Sequence, residues 1–291
     1  MGRRTSYVRV VLLCPVRSCH LPLTRGDRRL VCPRTHSFDV ARSGYVNLLQ
    51  PQDRRSSRPG DSAVVVHARR RLLSQGFEAD FVDAIAGFAA AGADDAVLEV
   101  GCGEGQHLAA IAARSGCEGH GLDISVATIA AAARRHPRLG WVVANADRFL
   151  PYADSSFRIV MSVTARTNAA EFRRVLRDDG RLVIVVPAAD DLIELRAAIL
   201  GERIARDRTQ SAIAALSPPF ALERRERLHR VVRLDPASIR DVMAASYRAL
   251  RTSQRARLTG LGPLEVTLSR DVLLFRPAET ADARTPLTRP A

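Results

Sequence analysis

The sequence predicts an α/β protein in which a small cysteine-rich N-terminal unit precedes a doubly wound parallel sheet. Three observations lead to this prediction. They are a glycine-rich turn between a strand and an Ala-rich helix at 96–113, alternating strand and helix segments up to residue 187, and three cysteines and a histidine at 14–36. Apolar strands separated by helical segments are typical of a parallel sheet that is covered on both faces.

The composition indicates a globular protein with an excess of positive charge. The 291 residues are 46% hydrophobic and 26% charged, which is ordinary for globular proteins. There are 44 basic and 31 acidic residues, a formal net charge of +13, and every basic residue counted is arginine. GC-rich codon usage explains the preference for arginine over lysine but not the excess charge, which favours a polyanionic partner such as nucleic acid or an acidic membrane surface.

The chain offers no sign of a membrane span or a disulfide framework. No stretch approaches the roughly 20 apolar residues that a transmembrane helix requires. Five cysteines, an odd number at uneven spacing, do not fit a set of paired disulfides. We therefore predict a cytoplasmic protein with reduced thiols.

The N-terminal cysteine cluster has the layout of a structural zinc site. Its spacing is Cys14-x4-Cys19-x12-Cys32-x3-His36, two short-spaced ligand pairs separated by a dozen residues. Such pairs lie on turns that a short ribbon brings together around a tetrahedral ion. We predict a closed Cys3His zinc site, with His20 as a rival ligand beside Cys19. The alternative is three unrelated thiols in a small subdomain.

Composition also divides the chain into segments. A polar stretch rich in Arg, Ser and Pro precedes a predicted helix that begins with Asp61 or Ser62 as its cap. Its arginines, Arg54, Arg55 and Arg58, form a strip suited to phosphate contacts, although a solvated linker is the simpler interpretation. The predicted segments are a zinc ribbon at 1–49, a basic linker at 50–62, the α/β domain at 63–280 and a disordered tail at 281–291.

The most specific part of the α/β domain is the glycine-rich turn. Glu99 begins the pattern E-x-G-x-G-x-G, in which Gly101, Gly103 and Gly105 follow an apolar strand. Glycines allow a sharp turn and let a ligand lie against the backbone. The spacing differs from the G-x-G-x-x-G of dinucleotide-binding proteins.

Later segments complete the predicted sheet. The second strand ends in Asp123, whose carboxylate is suited to ribose hydroxyls, and the third ends in Asn145, Ala146 and Asp147. Taken alone, either aspartate could be a solvated strand end. The predicted strands are 120–123, 141–147, 157–163, 181–187 after a turn at 178–180, 226–234 and an antiparallel hairpin within 265–275, and the helices are 125–135, 168–176, 202–216 and 236–250.

The glycine turn with its following acid resembles motif I of the class I S-adenosylmethionine-dependent methyltransferases. Combined with the cysteine cluster, the chain resembles the bacterial 23S ribosomal RNA (guanine-N1) methyltransferase family. The resemblance implies a class I Rossmann-like methyltransferase fold with an N-terminal zinc ribbon. The matching motifs are CP…CH-x-PL at 14–23, CP-x-x-HSFD-x-A-x-x-GYVNLL at 32–49, R-x-PGDS at 58–62, ARR at 68–70 and GCGEG at 101–105.

The resemblance also implies an activity. The family methylates N1 of a guanine in a 23S rRNA hairpin near the peptide exit tunnel, with S-adenosylmethionine as cofactor and structural zinc. Its members are often homodimers. The arginine-rich composition favours the branch that confers resistance to macrolide-type antibiotics. The implied cofactor-binding residues are Gly101, Cys102, Gly103, Glu104, Gly105, Asp123, Asn145, Ala146 and Asp147.

The acceptor side of the site is less defined by the resemblance. Arg166, after the fourth strand, is the candidate cation for guanine O6, and no general base can be assigned. The chain departs from the family in three places. The first cysteine pair is C-x4-C instead of C-x2-C, Glu78 stands where an aromatic residue contacts the cofactor, and Asp191 aligns with a histidine of the housekeeping enzymes.

Two other functions fit parts of the sequence. A small-molecule methyltransferase would use the same glycine turn but has no need of the ribbon and basic linker. A binding protein that has lost its activity would keep the fold, although it would be free to lose Gly101, Gly103, Gly105 and Asp123.

Overall fold

The computed structural model describes residues 10–53, 60–201, 205, 207–246 and 250–278. The predicted tail at 281–291 and the linker arginines Arg54, Arg55 and Arg58 lie outside the described residues. The strands are β1 (Thr24–Arg25), β2 (Arg29–Val31), β3 (Ser37–Asp39), β4 (Val46–Asn47), β5 (Ala96–Val100), β6 (Glu118–Asp123), β7 (Gly140–Val143), β8 (Phe157–Val163), β9 (Leu176–Pro187), β10 (Phe220–Leu234) and β11 (Leu264–Pro277). The helices are α1 (Ala63–Ser74), α2 (Ala79–Ala89), α3 (Gln106–Ser115), α4 (Val126–Arg135), α5 (Ala169–Val175), α6 (Ile193–Leu200), α7 (Thr209–Leu216), α8 (Pro236–Ser246) and α9 (Thr252–Thr259).

The large sheet has the doubly wound topology that the sequence predicts. Its order is β10-β11-β9-β8-β5-β6-β7-β4. The strands from β9 to β4 are parallel, whereas β11 pairs antiparallel with both β9 and β10. The chain passes from β5 through β6 to β7 and then returns to the other side of β5 for β8 and β9. This reversal creates a switch point at the carboxyl end of β5, where ligands bind in open α/β sheets.

Both faces of the parallel strands are buried. Leu98 and Ile184 belong to one apolar cluster, whereas their neighbours Val97 and Val183 belong to another. Successive strand residues point to opposite faces, so helices must cover both sides of the sheet. Continuous apolar strands, the feature used for the prediction, are the direct result.

The cysteine-rich ribbon is joined to the large sheet. β1, β2 and β3 form a small antiparallel sheet, and β4 then pairs in parallel with β7 through Val46 and Val142. Leu12 forms an antiparallel bridge with Tyr152, and Leu48 packs in the same apolar cluster as the large sheet. The ribbon therefore shares a hydrophobic core with the α/β domain.

The predicted hairpin within 265–275 is wrong. β11 is one continuous strand, and its antiparallel partner is β10, which contains the predicted strand at 226–234. Within β11, the buried carboxylate of Asp271 accepts hydrogen bonds from Thr209, Arg225 and Arg227. These partners come from α7 and β10, so a local sequence pattern could not reveal them.

Other boundaries moved by a few residues. The predicted turn at 178–180 lies inside β9, where the pairing passes from Phe157↔Leu176 to Ile159↔Arg181 and the intervening residues form a bulge. The third parallel strand, β7, ends at Val143 and not at residue 147. Within the predicted helix at 202–216, the structure describes a helix only as α7. The predicted helix at 236–250 contains α8, and its residues 247–249 lie outside the described residues. The predicted start of α1 is confirmed, since Ser62 is its N-cap.

Candidate active site

A cleft of about 1140 Å³ opens at the carboxyl ends of the parallel strands. The loops after β5, β6 and β7 line one part of it, which we call the cofactor half. The loops after β8 and β9, together with β11, line the part we call the acceptor half. Leu72 of α1 and Val242 of α8 also line the cleft. The cleft thus lies at the switch point of the sheet.

The glycine-rich turn forms the floor of the cofactor half. Gly101, Gly103 and Gly105 have φ angles of +73°, +55° and +76°, a region that favours glycine. A Cβ on Gly105 would lie 2.1 Å from the ring of Trp141, whereas a Cβ on Gly103 would meet nothing within 4 Å. The space beside Gly103 is therefore open for a ligand to approach the backbone.

Asp123 lies next to this turn and is tied to it. Gly103 N–H donates to Asp123 Oδ2 at 3.0 Å, and Ser125 N–H donates to Oδ1 at 2.8 Å. Burial raises the pKa of Asp123, against the lowering effect of these two donors. Each carboxylate oxygen keeps a second acceptor position, so the group can still accept hydrogen bonds from the hydroxyls of a ligand.

The other two residues of the turn face the protein. Glu104 accepts hydrogen bonds from Arg70 at 2.7 Å and from Arg135 at 2.9 Å, which links α1 and α4 to the turn. The Cys102 side chain is buried, and burial raises the pKa of its thiol. Both side chains are engaged in packing or ion pairs, so their contribution to a ligand would come chiefly from the backbone.

The loop after β7 brings the predicted adenine-side residues to the cleft. Asn145 Nδ2 donates to the Asp53 carbonyl at 2.9 Å, while its Oδ1 accepts from Asp147 N–H at 3.0 Å. The carbonyl of Ala146 accepts from Asn168 Nδ2 at 3.0 Å. The side chain of Asn145 therefore shapes this loop, and all three predicted residues line the cleft.

Arg166 lies at the mouth of the cleft. Its side chain is 75% exposed, and its guanidinium nitrogen lies 3.5 Å from Asp147 Oδ2. The structure thus brings this predicted acceptor-side residue within ion-pair distance of a predicted cofactor-side residue.

Two residues at which the chain departs from the family meet in the acceptor half. Glu78 and Asp191 both form ion pairs with Arg270, and Asp191 also accepts from Ser269 N–H at 3.0 Å. Burial raises the pKa of Asp191, although Arg270 opposes the shift. Sequence reasoning missed Arg270, because it comes from β11 and no local motif marks it.

The four predicted zinc ligands are brought together in the ribbon. Their donor atoms all lie within 4.8 Å of one another. His36 Nδ1 lies 3.4 Å from the sulfurs of Cys14 and Cys32, and the sulfurs of Cys19 and Cys32 are 3.7 Å apart. Tetrahedral zinc has edges of about 3.8 Å between sulfurs and about 3.5 Å between sulfur and nitrogen. The donor set and its dimensions therefore fit zinc.

His20, the rival ligand, serves another purpose. Its ring stacks on Phe149 of the α/β domain, with centroids 4.1 Å apart and planes 10° apart. It is not a member of the group of donor atoms around Cys19 in the described structure.

In the part of the chain that the structure describes, no helix combines the length and apolar character needed to cross a membrane.

The fold and the glycine-lined cleft define a class I S-adenosylmethionine-dependent methyltransferase. Residues 97–180 match the family model described as "Methyltransferase domain". The fold is similar to the crystal structure of a Bacillus halodurans C-125 protein, with a TM-score of 0.51 and 15% identity, covering 68% of this chain and 98% of that one. Residues 12–57 match the model described as "RlmA, N-terminal".

The relatives define the family more closely. The 23S rRNA (guanine(748)-N(1))-methyltransferase of Streptomyces fradiae is 38% identical over 276 residues, which cover 91% of this chain and 96% of the relative. A Micromonospora griseorubida protein, named as a candidate 23S rRNA (guanine-N(1)-)-methyltransferase, is 40% identical over 205 residues, or 63% and 68% of the two chains. The chain belongs to the 23S rRNA (guanine-N1)-methyltransferase family.

Proposed function

We propose that the protein methylates N1 of the 23S rRNA guanine that corresponds to nucleotide 748, the position in the name of the Streptomyces fradiae relative. The observation that carries the proposal is the 38% identity along 91% of this chain. That similarity spans both the ribbon and the cleft, so the two parts needed for an RNA substrate are both retained.

S-adenosylmethionine supplies the methyl group in this reaction. Asp123 would accept hydrogen bonds from its ribose, and the open space beside Gly103 suits its close approach to the backbone. The loop after β7 would enclose the adenine. The proposed binding residues are Gly101, Cys102, Gly103, Glu104, Gly105, Asp123, Asn145, Ala146 and Asp147, which line the cleft apart from Gly105 at the start of α3.

The acceptor chemistry requires an unpaired base. Guanine N1 lies on the Watson–Crick edge, so the nucleotide must be flipped out or unpaired to be reached. The bond between N1 and the methyl carbon forms as the carbon–sulfur bond breaks, with its electron pair left on sulfur. The N1 proton leaves to a base or to solvent, and Arg166 at the cleft mouth is one candidate cation for the target nucleotide.

The zinc site would be structural, with Cys14, Cys19, Cys32 and His36 as ligands. A closed Cys3His site leaves no open position for catalysis. The ion would hold the ribbon strands in place to present basic residues to RNA.

A basic depression on the ribbon supports an RNA-binding role. Arg25, Arg28 and Arg42 line it together with Asp27. Arginines of this kind bind phosphates, and each phosphate contact makes the affinity fall as salt rises. We extend the interface to the linker arginines, which lie outside the described residues.

We divide the chain as the sequence predicts, into a ribbon at 1–49, a linker at 50–62, a methyltransferase domain at 63–280 and a tail at 281–291. A cytoplasmic location follows from the ribosomal substrate. Homodimer formation and resistance to macrolide-type antibiotics are further parts of the proposal, and both rest on the resemblance to the family.

The test is a tritiated methyl-transfer assay on unmodified 23S rRNA, followed by primer extension. Methylation at N1 blocks base pairing, so reverse transcriptase should stop beside the guanine equivalent to nucleotide 748. Asp123→Asn is the matched control, because it keeps the size of the side chain and removes its charge. It should weaken S-adenosylmethionine binding by about 10- to 100-fold, the value of a hydrogen bond to a charged group.

The outcomes separate the rival functions. A stop at another guanine would keep the reaction and change the target. No transfer to RNA by protein that binds S-adenosylmethionine would overturn the RNA assignment in favour of the small-molecule enzyme. For the resistance role, the wild-type protein but not Asp123→Asn should protect a macrolide-sensitive host.

A further inference from the structure

Arg196 is a buried cation that lines the acceptor half of the cleft. It lies on α6, and its relative exposure is 7%. One guanidinium nitrogen donates to the Ala189 carbonyl at 3.1 Å, while Nε is buried without a hydrogen-bond partner. No carboxylate among the described residues forms an ion pair with it. Burial of a charge is costly unless the charge is paired, so Arg196 is suited to a ligand in the cleft that carries or develops negative charge.

The other arginines of the cleft differ from Arg196. Arg69 pairs with Asp61 and Arg166 pairs with Asp147. The Arg270 guanidinium is shared between Glu78 and Asp191, and Arg208 is exposed. Arg196 alone of these five combines burial with the lack of a described carboxylate partner.

The position of Arg196 also fits the reacting base. Its hydrogen-bond acceptor, Ala189, lies in the loop after β9, and Ala188 and Leu192 of the same loop region line the cleft. This is the half of the cleft opposite the glycine turn and Asp123. A base that enters from the acceptor side would meet this region next to the bound cofactor.

Resting on the proposed function, we propose that Arg196 binds O6 of the target guanine and stabilises the negative charge that builds there as N1 loses its proton. Deprotonation of N1 delocalises charge onto O6, and a guanidinium remains charged at every relevant pH. A fixed cation at a buried position stabilises such charge far better than one in water. Arg196 is better placed for this than Arg166, which is 75% exposed and already paired.

The first test compares Arg196→Gln with a matched control. Arg257→Gln removes a guanidinium hydrogen bond at the same helix, donated by Arg257 to the Ile199 carbonyl of α6 at 3.4 Å, but Arg257 is exposed and does not line the cleft. We expect Arg196→Gln to lower kcat by about 100-fold and to move the pH midpoint of kcat upward, with S-adenosylmethionine binding unchanged. Arg257→Gln should leave kcat and the pH midpoint as in the wild type.

Arg196→Lys addresses the risk that the glutamine variant fails to fold. Lysine keeps the charge and most of the length of the side chain but loses the planar fork. We expect a folded protein whose kcat and pH midpoint lie between those of the wild type and Arg196→Gln.

A second measurement reads the ionisation of the base directly. A 23S hairpin RNA with 6-thioguanine at the target is bound to each protein without S-adenosylmethionine, and absorbance reports the ionisation of N1. The wild type and Arg257→Gln should lower the N1 pKa relative to free RNA, and Arg196→Gln should restore the value of free RNA.

These results distinguish the inference from the function on which it rests. Methylation by the wild type tests the proposed function. If the wild type is active but Arg196→Gln shifts neither the pH midpoint nor the 6-thioguanine pKa, the role of Arg196 is overturned. A loss of kcat with an unchanged pH midpoint and pKa would overturn it equally, because that result describes a structural residue.

Discussion

His20 of the ribbon stacks on Phe149 of the α/β domain, with ring centroids 4.1 Å apart and planes 10° apart. The guanidinium of Arg174 also lies over the Phe149 ring, 4.9 Å from its centroid. The histidine that competes with the zinc ligands in the sequence is therefore part of the contact between the two units.

This contact predicts a measurable coupling between the two rings. A double-mutant cycle of His20→Ala and Phe149→Ala should give a coupling of about 1 kcal/mol in the free energy of unfolding, typical of aromatic pairs. Phe149→Ala should be the more destabilising single change, because it also removes the contact with Arg174. His67→Ala, at an exposed histidine of α1, is the control and should change stability little. Additive effects of the two substitutions would contradict the prediction.

The glycine turn predicts opposite consequences for two similar substitutions. Gly105→Ala should destabilise the fold by roughly 3 kcal/mol or more, since its Cβ would lie 2.1 Å from the Trp141 ring. Gly103→Ala should cost only about 1–2 kcal/mol, the strain of a positive φ, yet abolish S-adenosylmethionine binding. Urea unfolding and calorimetric binding measure both effects. Retained binding by a folded Gly103→Ala protein would show that the cofactor does not use this space.

Zinc removal should affect more than the ribbon. We expect one zinc per chain in the wild type, none in Cys14→Ser, and one in Cys117→Ser, whose buried thiol is outside the cluster. Loss of the ion should lower the melting temperature of the whole protein, because Leu48 of the ribbon packs in the core of the large sheet. Metal analysis and calorimetry provide the readout, and an unchanged main transition after chelation would argue against a shared core.

Asp271 predicts a stability difference that depends on pH. Burial would raise the pKa of this carboxyl, but Arg227, Thr209 and Arg225 outweigh it and hold the pKa below its usual value. A lowered pKa in the folded state stabilises the protein above the unfolded pKa of about 4, and this contribution is lost as pH falls through the folded pKa. Asp271→Asn should therefore cost about 2 kcal/mol at pH 7, since both arginines are partly exposed, and less below about pH 4.

Urea unfolding at neutral and acid pH measures this difference. Asp83→Asn breaks an exposed ion pair with Arg114 and is the control, which should cost about 0.5 kcal/mol or less. A cost of Asp271→Asn that stays constant with pH would mean that the carboxyl is not held ionised by its arginines.

Local patterns were sufficient to predict the glycine turn, the position of Asp123 beside it and the zinc cluster. The positive φ angles of Gly101, Gly103 and Gly105 leave a direct mark on the sequence, because few other residues adopt them. Asp123 is recognisable since it ends an apolar strand at a fixed distance from that turn. The ligand spacing of the ribbon is likewise set by tight turns, so it is readable without any knowledge of the fold.

The acceptor half could not be predicted in the same way. Asp191 meets Arg270, and Arg196 lines the same part of the cleft, only because α6 packs beside β11. The continuity of β11 depends on Asp271 and its partners in β10 and α7. Such contacts join residues 46 to 79 positions apart, and each residue alone looks like an ordinary surface charge. Sequence reasoning therefore selected Arg166, which follows a recognisable strand, and had no local signal that would point to Arg196.

The parallel pairing of β4 with β7 holds the ribbon in a fixed position relative to the methyltransferase sheet. If a flexible linker joined the two units, the cleft could reach many nucleotides around the point where the ribbon binds the RNA. A ribbon in a fixed position instead sets one distance between its RNA-binding surface and the cleft. In that case the distance between the ribbon and the cleft determines which guanine is modified, and no contact with a base edge is needed to choose between neighbouring guanines. Transplanting the ribbon of a relative that modifies a different guanine would then fail to redirect the enzyme unless the seat formed by β4, β7 and Phe149 were transplanted as well.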